Sequence, residues 1–256
     1  MNQSTNQLMN QVLLEACVAN VESAIAAQQA GANRLELCNV LGAGGITPSH
    51  GLIELVKKKI SIPVHVLIRP REGDFLFSDD EFEIMKRDVE VCKELNVAGV
   101  VIGILNADGS VDVSRCAELI AIAKPMSVTF HRAFDLTADA FNSLEDIIKL
   151  GCNRILTSGQ RATAVHGAGF ISGLIQQANG RIIIMPGGGI TPKNISQLKK
   201  ISGANEFHLS ARAFKESNML YRNEFVIMSG DDVDEYSYEV LDPEQFKKVK
   251  ENANQY

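Results

Sequence analysis

Eight short apolar or β-branched runs recur along the chain, beginning near Val12, Arg34, Pro63, Ala98, Met126, Arg154, Arg181 and Asn205, with successive starts 22 to 35 residues apart. A helix-like stretch follows each run, and this spacing suits βα units joined by short loops. Helix starts are marked as well. Thr47-Pro48 and Thr191-Pro192 each set a capping residue before a helix-initiating proline, and Ser78-Asp-Asp-Glu81 reads as a capping box. Gly31-Ala-Asn33, Gly151-Cys-Asn153 and Gly203-Ala-Asn205 are variants of one αβ turn, with glycine where a helix C′ position needs positive φ. Unbroken repetition of this unit predicts a single-domain α/β fold, a (β/α)8 TIM barrel over 12–212, with an open sheet of fewer strands as the alternative.

Beyond Arg212 the helical period lapses. Residues 213–256 are expected to complete the barrel as an irregular C-terminal extension. In it a long loop, Phe214 to Leu241, either covers a site or is a solvated or oligomer-contacting tail; a short helix capped at Asp242-Pro243 then runs to about Asn254. The eighth helix is thus expected to be displaced. Residues 1–11 are polar and uncharged and read as a disordered N-terminal arm without the basic and apolar regions of a signal peptide.

Strands of an all-parallel sheet are normally apolar on both faces. Here Glu15 and Cys17 alternate with apolar residues, as do Arg34, Glu36 and Cys38, then His65, Leu67 and Arg69, then Ser127, Thr129 and His131, and finally Glu206, His208 and Ser210. Helices cover the outside of such a barrel, so the polar set is expected to face the lumen. Unpaired charges there would cost several kcal/mol each. An internal ion-pair network, with Arg34 or Arg69 satisfying Glu15 and Glu36, is the stability-only explanation. His65 is expected to be a hydrogen-bonded core histidine, and His50 and His166 surface residues.

The strand C-termini, where barrel active sites form, carry further signals. They are Arg69-Pro70-Arg71, His131-Arg132, Ser158-Gly159, Gly187-Gly188-Gly189 and Ser210-Ala211-Arg212. Glycines after the seventh strand let backbone N–H groups approach an oxyanion. With Arg212 beside them and Arg69 or Arg132 across the mouth, they make an anion or substrate site, to which Glu15, Glu36, Arg71, His131, Ser158, His208 and Ser210 are further candidates.

A net charge of −6 argues against nucleic acid or an anionic membrane as partner, and no apolar run is long enough to span a bilayer. Five cysteines, an odd number, read as reduced cytoplasmic thiols. Glu15-Ala-Cys17 and Glu36-Leu-Cys38 place the same pair on adjacent strands about 4.8 Å apart. Two neighbouring thiolates suit Cu(I), whereas structural zinc wants four ligands. Alternatively both cysteines pack as small hydrophobes, as Cys92, Cys116 and Cys152 are expected to do. A cysteine activated by His131 or His208, or acid–base work by Glu15, Glu36 or Glu206 with His131, is the catalytic alternative; no pair is singled out.

Glu15-Ala-Cys17, Arg34-Leu-Glu36-Leu-Cys38, Gly44-Gly-Ile-Thr-Pro-Ser49, Ile68-Arg-Pro-Arg71-x-Gly-Asp-Phe75, Thr129-Phe-His-Arg-Ala-Phe-Asp135, Leu156-Thr-Ser-Gly159, Met185-Pro-Gly-Gly-Gly-Ile-Thr191 and Glu206-Phe-His-x-Ser-Ala-Arg212 together resemble the CutC copper homeostasis family. The resemblance runs from about Val12 to Arg212. It implies a cytoplasmic (β/α)8 barrel that forms homodimers or higher homo-oligomers and handles copper, with Cu(I) on Cys17 and Cys38. The rival expectation is an enzyme or sensor acting on a phosphorylated or carboxylated small metabolite.

Overall fold

The structure, a computed structural model, describes residues 12–223, 225–226 and 234–255. The expected N-terminal arm, 1–11, and part of the acidic stretch near residue 231 lie outside them. Eight parallel strands form one sheet: β1 (Leu13–Val18), β2 (Arg34–Leu37), β3 (Val64–Leu67), β4 (Gly99–Ile102), β5 (Ser127–Phe130), β6 (Arg154–Thr157), β7 (Ile183–Pro186) and β8 (Glu206–Leu209). Each pairs with its sequence neighbour, β8 returns beside β1, and a parallel bridge from Gly187 to His208 joins β7 to β8. The sheet is therefore a nearly closed barrel.

Helices α1 (Val21–Gln29), α2 (His50–Lys59), α3 (Asp79–Glu94), α4 (Val113–Ala123), α5 (Ala140–Leu150), α6 (Ala168–Ala178), α7 (Ile195–Ser202) and α8 (Pro243–Asn254) follow the strands in turn. This is the (β/α)8 TIM barrel. The main core lies between sheet and helices, where Leu14, Leu35, Val66, Ile102, Phe130, Ile155 and Phe207 meet Ala24, Val56, Val89, Leu119, Ile147, Ile171 and Phe246.

Local signals explain most element ends. Ser78 and Glu81 form the expected capping box, and Gly31, Gly151 and Gly203 all take positive φ after α1, α5 and α7. Two caps differ from expectation. Ser49 rather than Thr47 caps α2, because Thr47 Oγ1 instead accepts the Arg69 N–H across to β3. Asn194 rather than Thr191 precedes α7, and its side chain ties back to Thr191 N and Gly189 O.

The C-terminal segment also differs. Its first and last residues pair as an antiparallel ribbon, β9 (Arg212–Glu216) with β10 (Ser237–Leu241). Asn20 donates to Glu239 O and Ser23 Oγ accepts from Leu241 N, which fastens the ribbon beside the start of α1. The eighth helix is not displaced. It bridges α7 and α1: Ser196 and Lys199 donate to Asn252 O and Ala253 O, while Lys250 reaches Gly31 O. Only its connection is long.

Candidate functional site

Register brings the alternating polar residues together. Glu15 sits opposite Arg34 on β2 and His208 on β8, Cys17 opposite Glu36, and Glu36 opposite His65. Glu15, Arg34, Glu36, His65, Arg69, Thr129, His131 and Glu206 are all buried. Glycine makes room for His65 among them. A Cβ on Gly99 would lie 2.7 Å from the His65 ring.

At the strand N-termini the charges satisfy one another. Arg34 bridges Glu15 and Glu206, its bond to Glu206 being 3.0 Å, and Arg154 joins Glu206 at 3.3 Å. Burial by itself would raise the Glu15 pKa, but the His208 hydrogen bond and the Arg34 charge outweigh it and hold the carboxyl well below its usual range. The ion-pair network is thus real for Arg34. Arg69 takes no part in it and donates instead to the carbonyls of Ala43, Gly45 and Gly73. His65 is buried but is not the hydrogen-bonded histidine expected, since its Nδ1 has no partner among the described residues. Burial pushes its pKa down to about 4.

Toward the C-terminal end the network gives way to sulfur. Cys17 Sγ lies 3.7 Å from Cys38 Sγ and 3.1 Å from Glu36 Oε2. Cys17, Glu36 and His208 each offer a ligand atom, all within 4.8 Å of one another. His208 Nδ1 faces Glu15 Oε1 at 2.8 Å and its Nε2 lies 3.7 Å from Glu36 Oε2. Leu67 and Val101 pack against both cysteines. The hydrogen bond with Cys38, then burial, push the Cys17 thiol up, and burial raises Glu36. His208 is raised despite burial, by Glu36 and Glu15.

Two thiolates at about 2.3 Å from one ion can span 3.7 Å. An imidazole held at its other nitrogen by a carboxylate is the usual outer support of a metal ligand. The donor set therefore fits a soft cation. Cys92, Cys116 and Cys152 are buried in the outer core, away from this group, and burial pushes the Cys92 and Cys152 thiols up to about 12 and raises Cys116 as well.

Above the sulfurs opens a cavity of about 400 Å³, lined among others by Cys17, Glu36, Arg69, Phe75, His131, Arg132, Gly188, Gly189, His208, Ser210 and Arg212. The remaining sequence candidates lie elsewhere. Arg71 turns to Glu81, Asp74 and the Leu76 carbonyl. Ser158 is buried behind the lining, its Oγ shared by Asp135, Arg132 and the Arg161 carbonyl. Gly187 is the bridge residue closing the barrel, and Glu15 lies beneath His208. His50 and His166 are exposed.

Sequence reasoning passed over two residues. Asp135 accepts from Thr157, Ser158, Gln160 and Arg132, and so sets the loop after β6. Phe75 stacks between Arg69, 5.0 Å from its centroid, and the His131 ring at 4.8 Å. Both stand in motifs noted above, but as an acidic and an aromatic loop residue neither breaks a hydrophobic pattern.

A family model described as the CutC family matches residues 12–213. A human protein named copper homeostasis protein cutC homolog is 48% identical over 234 residues, covering 91% of this chain and 86% of the relative. A family protein CutC of Chromobacterium violaceum is 48% identical over 239 residues, covering 93% and 97%. A solved structure described as CutC from Streptococcus agalactiae superposes with a TM-score of 0.74 at 33% identity, covering 78% of this chain and 99% of that one. Phosphoribosylanthranilate isomerase of Thermotoga maritima, TM-score 0.58 at 14% identity over 96% and 100% of the two chains, shares the fold alone. With the barrel, the sulfur pair and near-half identity along almost the whole chain, this protein belongs to the CutC family.

Proposed function

We propose that this protein is a cytoplasmic copper-binding protein of copper homeostasis that takes Cu(I) as cargo on the thiolates of Cys17 and Cys38. The observation that carries the reading is the buried sulfur pair, 3.7 Å apart. Soft thiolates favour Cu(I). His208 Nε2 and Glu36 stand close enough to complete or flank the site. All five cysteines are free thiols, which suits a reducing compartment. Binding must displace protons from the sulfurs and from His208, so affinity should rise with pH. The same reading takes the protein as a homodimer or higher oligomer. Its contact face is the ribbon and the turn after β9, where Phe214, Leu220, Tyr221 and Phe225 are exposed.

The test is an anaerobic Cu(I) competition titration against a chromophoric chelator, on the parent and on Cys17→Ser/Cys38→Ser. The parent is expected to bind one ion per chain, tenfold or more tighter at pH 8 than at pH 6.5, and the double variant to lose it. Unchanged stoichiometry in the variant overturns the assignment.

A further inference from the structure

Two hydrogen-bond donors in the cavity wall are left without acceptors. His131 Nδ1 accepts the N–H of Ala133 at 3.1 Å, and burial, then Arg69, hold the ring neutral, its pKa pushed down to about 3. A neutral imidazole carries one proton, and with Nδ1 accepting, that proton sits on Nε2. This Nε2–H is buried and has no partner among the described residues. Arg69 repeats the pattern. Its terminal nitrogens are spent on carbonyls, its Nε–H is buried and unpartnered, and no carboxylate among the described residues pairs with it. Glu72 opposes that charge only from beyond ion-pair distance, and a buried donor without an acceptor is costly. Both side chains line the same cavity and flank the same ring, Phe75. Gly188, Gly189 and Ile190 line the cavity too, and the amide N–H groups of Gly189 and Ile190 have no acceptor among the described residues. Gly188 and Gly189 have positive φ, a backbone that glycine takes without strain. Arg132 and Arg212 stand at the rim, paired with Asp135 and Glu239.

We propose that the cavity is a binding site for a small organic oxyanion, a carboxylate or phosphate ester, received by Arg69 Nε–H and His131 Nε2–H with the Gly188–Gly189 turn facing them. This site does not depend on copper. Its residues supply hydrogen-bond donors, whereas the metal reading uses sulfur and imidazole lone pairs.

Calorimetric titration with glycolate, inorganic phosphate and phosphoglycolate, and with neutral glycerol as control, tests it. At least one anion is expected to bind at millimolar concentration or tighter, glycerol not at all, and the anion that binds identifies which oxyanion the site prefers. His131→Asn keeps an acceptor for Ala133 N but removes the Nε2 donor, and Arg69→Lys keeps the charge but removes the Nε donor. Each should weaken that anion tenfold or more, with circular dichroism unchanged. Should either variant not fold, the other is decisive, and competition by the anion against cysteine-independent dye binding in the parent gives a second readout. Cys38→Ser, at a residue outside the cavity lining, should bind the anion within threefold of the parent, so a failed copper titration leaves this result intact. No binding by any anion, or equal affinity in both donor variants, overturns the proposal.

Discussion

His208 Nδ1 lies 2.8 Å from Glu15 Oε1, and that single bond couples the ion-pair floor of the barrel to the sulfur group above it. Glu15 is held ionised and His208 is favoured in its protonated form. The raised imidazole stabilises the fold below its unfolded pKa near 6.5, and that contribution fades as pH rises through the folded value. The depressed carboxyl contributes above about 4.5 and is lost as pH falls through its folded value.

Glu15→Gln keeps an oxygen for His208 but removes the charge facing both His208 and Arg34. Breaking a buried pair by removing one partner costs about 3–5 kcal/mol. Urea unfolding should show a loss of that order, and the imidazole carbon resonances of His208 should titrate at lower pH. Unchanged stability together with an unshifted His208 titration would show that the bond couples nothing.

His65 gives the opposite pH signature. Its folded pKa of about 4 lies below the unfolded value of 6.5, so the unfolded chain takes up a proton that the folded chain refuses. Stability should fall as pH drops from 6.5 toward 4, by up to about 1.4 kcal/mol per pH unit from this residue. The stability difference between the parent and His65→Gln, followed at pH 7, 6 and 5, should narrow or reverse on acidification. Parallel curves would mean that His65 already carries its proton in the lumen.

Gly99→Ala is expected to destabilise by about 1–3 kcal/mol or more, since the added Cβ would sit 2.7 Å from both the His65 ring and the Ser127 carbonyl. Gly42→Ala meets nothing within 4 Å and should stay within about 0.5 kcal/mol of the parent. Equal thermal midpoints for the two variants would sink the claim that glycine makes room for the lumen histidine.

The exposed apolar set on and beside the ribbon predicts self-association. Phe214 is 72% exposed and Phe225 97% exposed. Phe214→Asp/Phe225→Asp should reduce the mass measured by light scattering to that of one chain, with secondary structure unchanged. A parent that is monomeric at 100 μM (an illustrative working concentration, about a hundredfold above a micromolar Kd) would remove the reason for the exposure.

The barrel was legible because strand period and helix caps agree over eight units, and the lumen because Glu15, Cys17, Glu36, His131 and His208 interrupt what should be apolar strands. The ribbon was not. Arg212–Glu216 pairs with Ser237–Leu241 across a long gap, and a two-stranded pairing of that kind leaves little periodic trace. α8 buries Phe246, Val249 and Ala253 in the core, but its seat between α7 and α1 also uses Lys199 and Lys250 reaching carbonyls distant in sequence, which an apolar pattern does not encode. Arg71 and Arg69 look equivalent in Arg69-Pro70-Arg71, yet the strand's alternation ends between them. One goes to the cavity wall and the other to Glu81. Tautomers and missing acceptors, on which the anion site rests, exist only once the chain is folded.

Arg34, Arg154, Glu15 and Glu206 make a charged floor beneath the cavity that Cys17, Glu36 and His208 line. Arg69, Arg132 and Arg212 line that same cavity over Cys17. Were the proposed copper ion and the proposed anion both bound, the anion would be the stopper and the ion beneath it the last to leave.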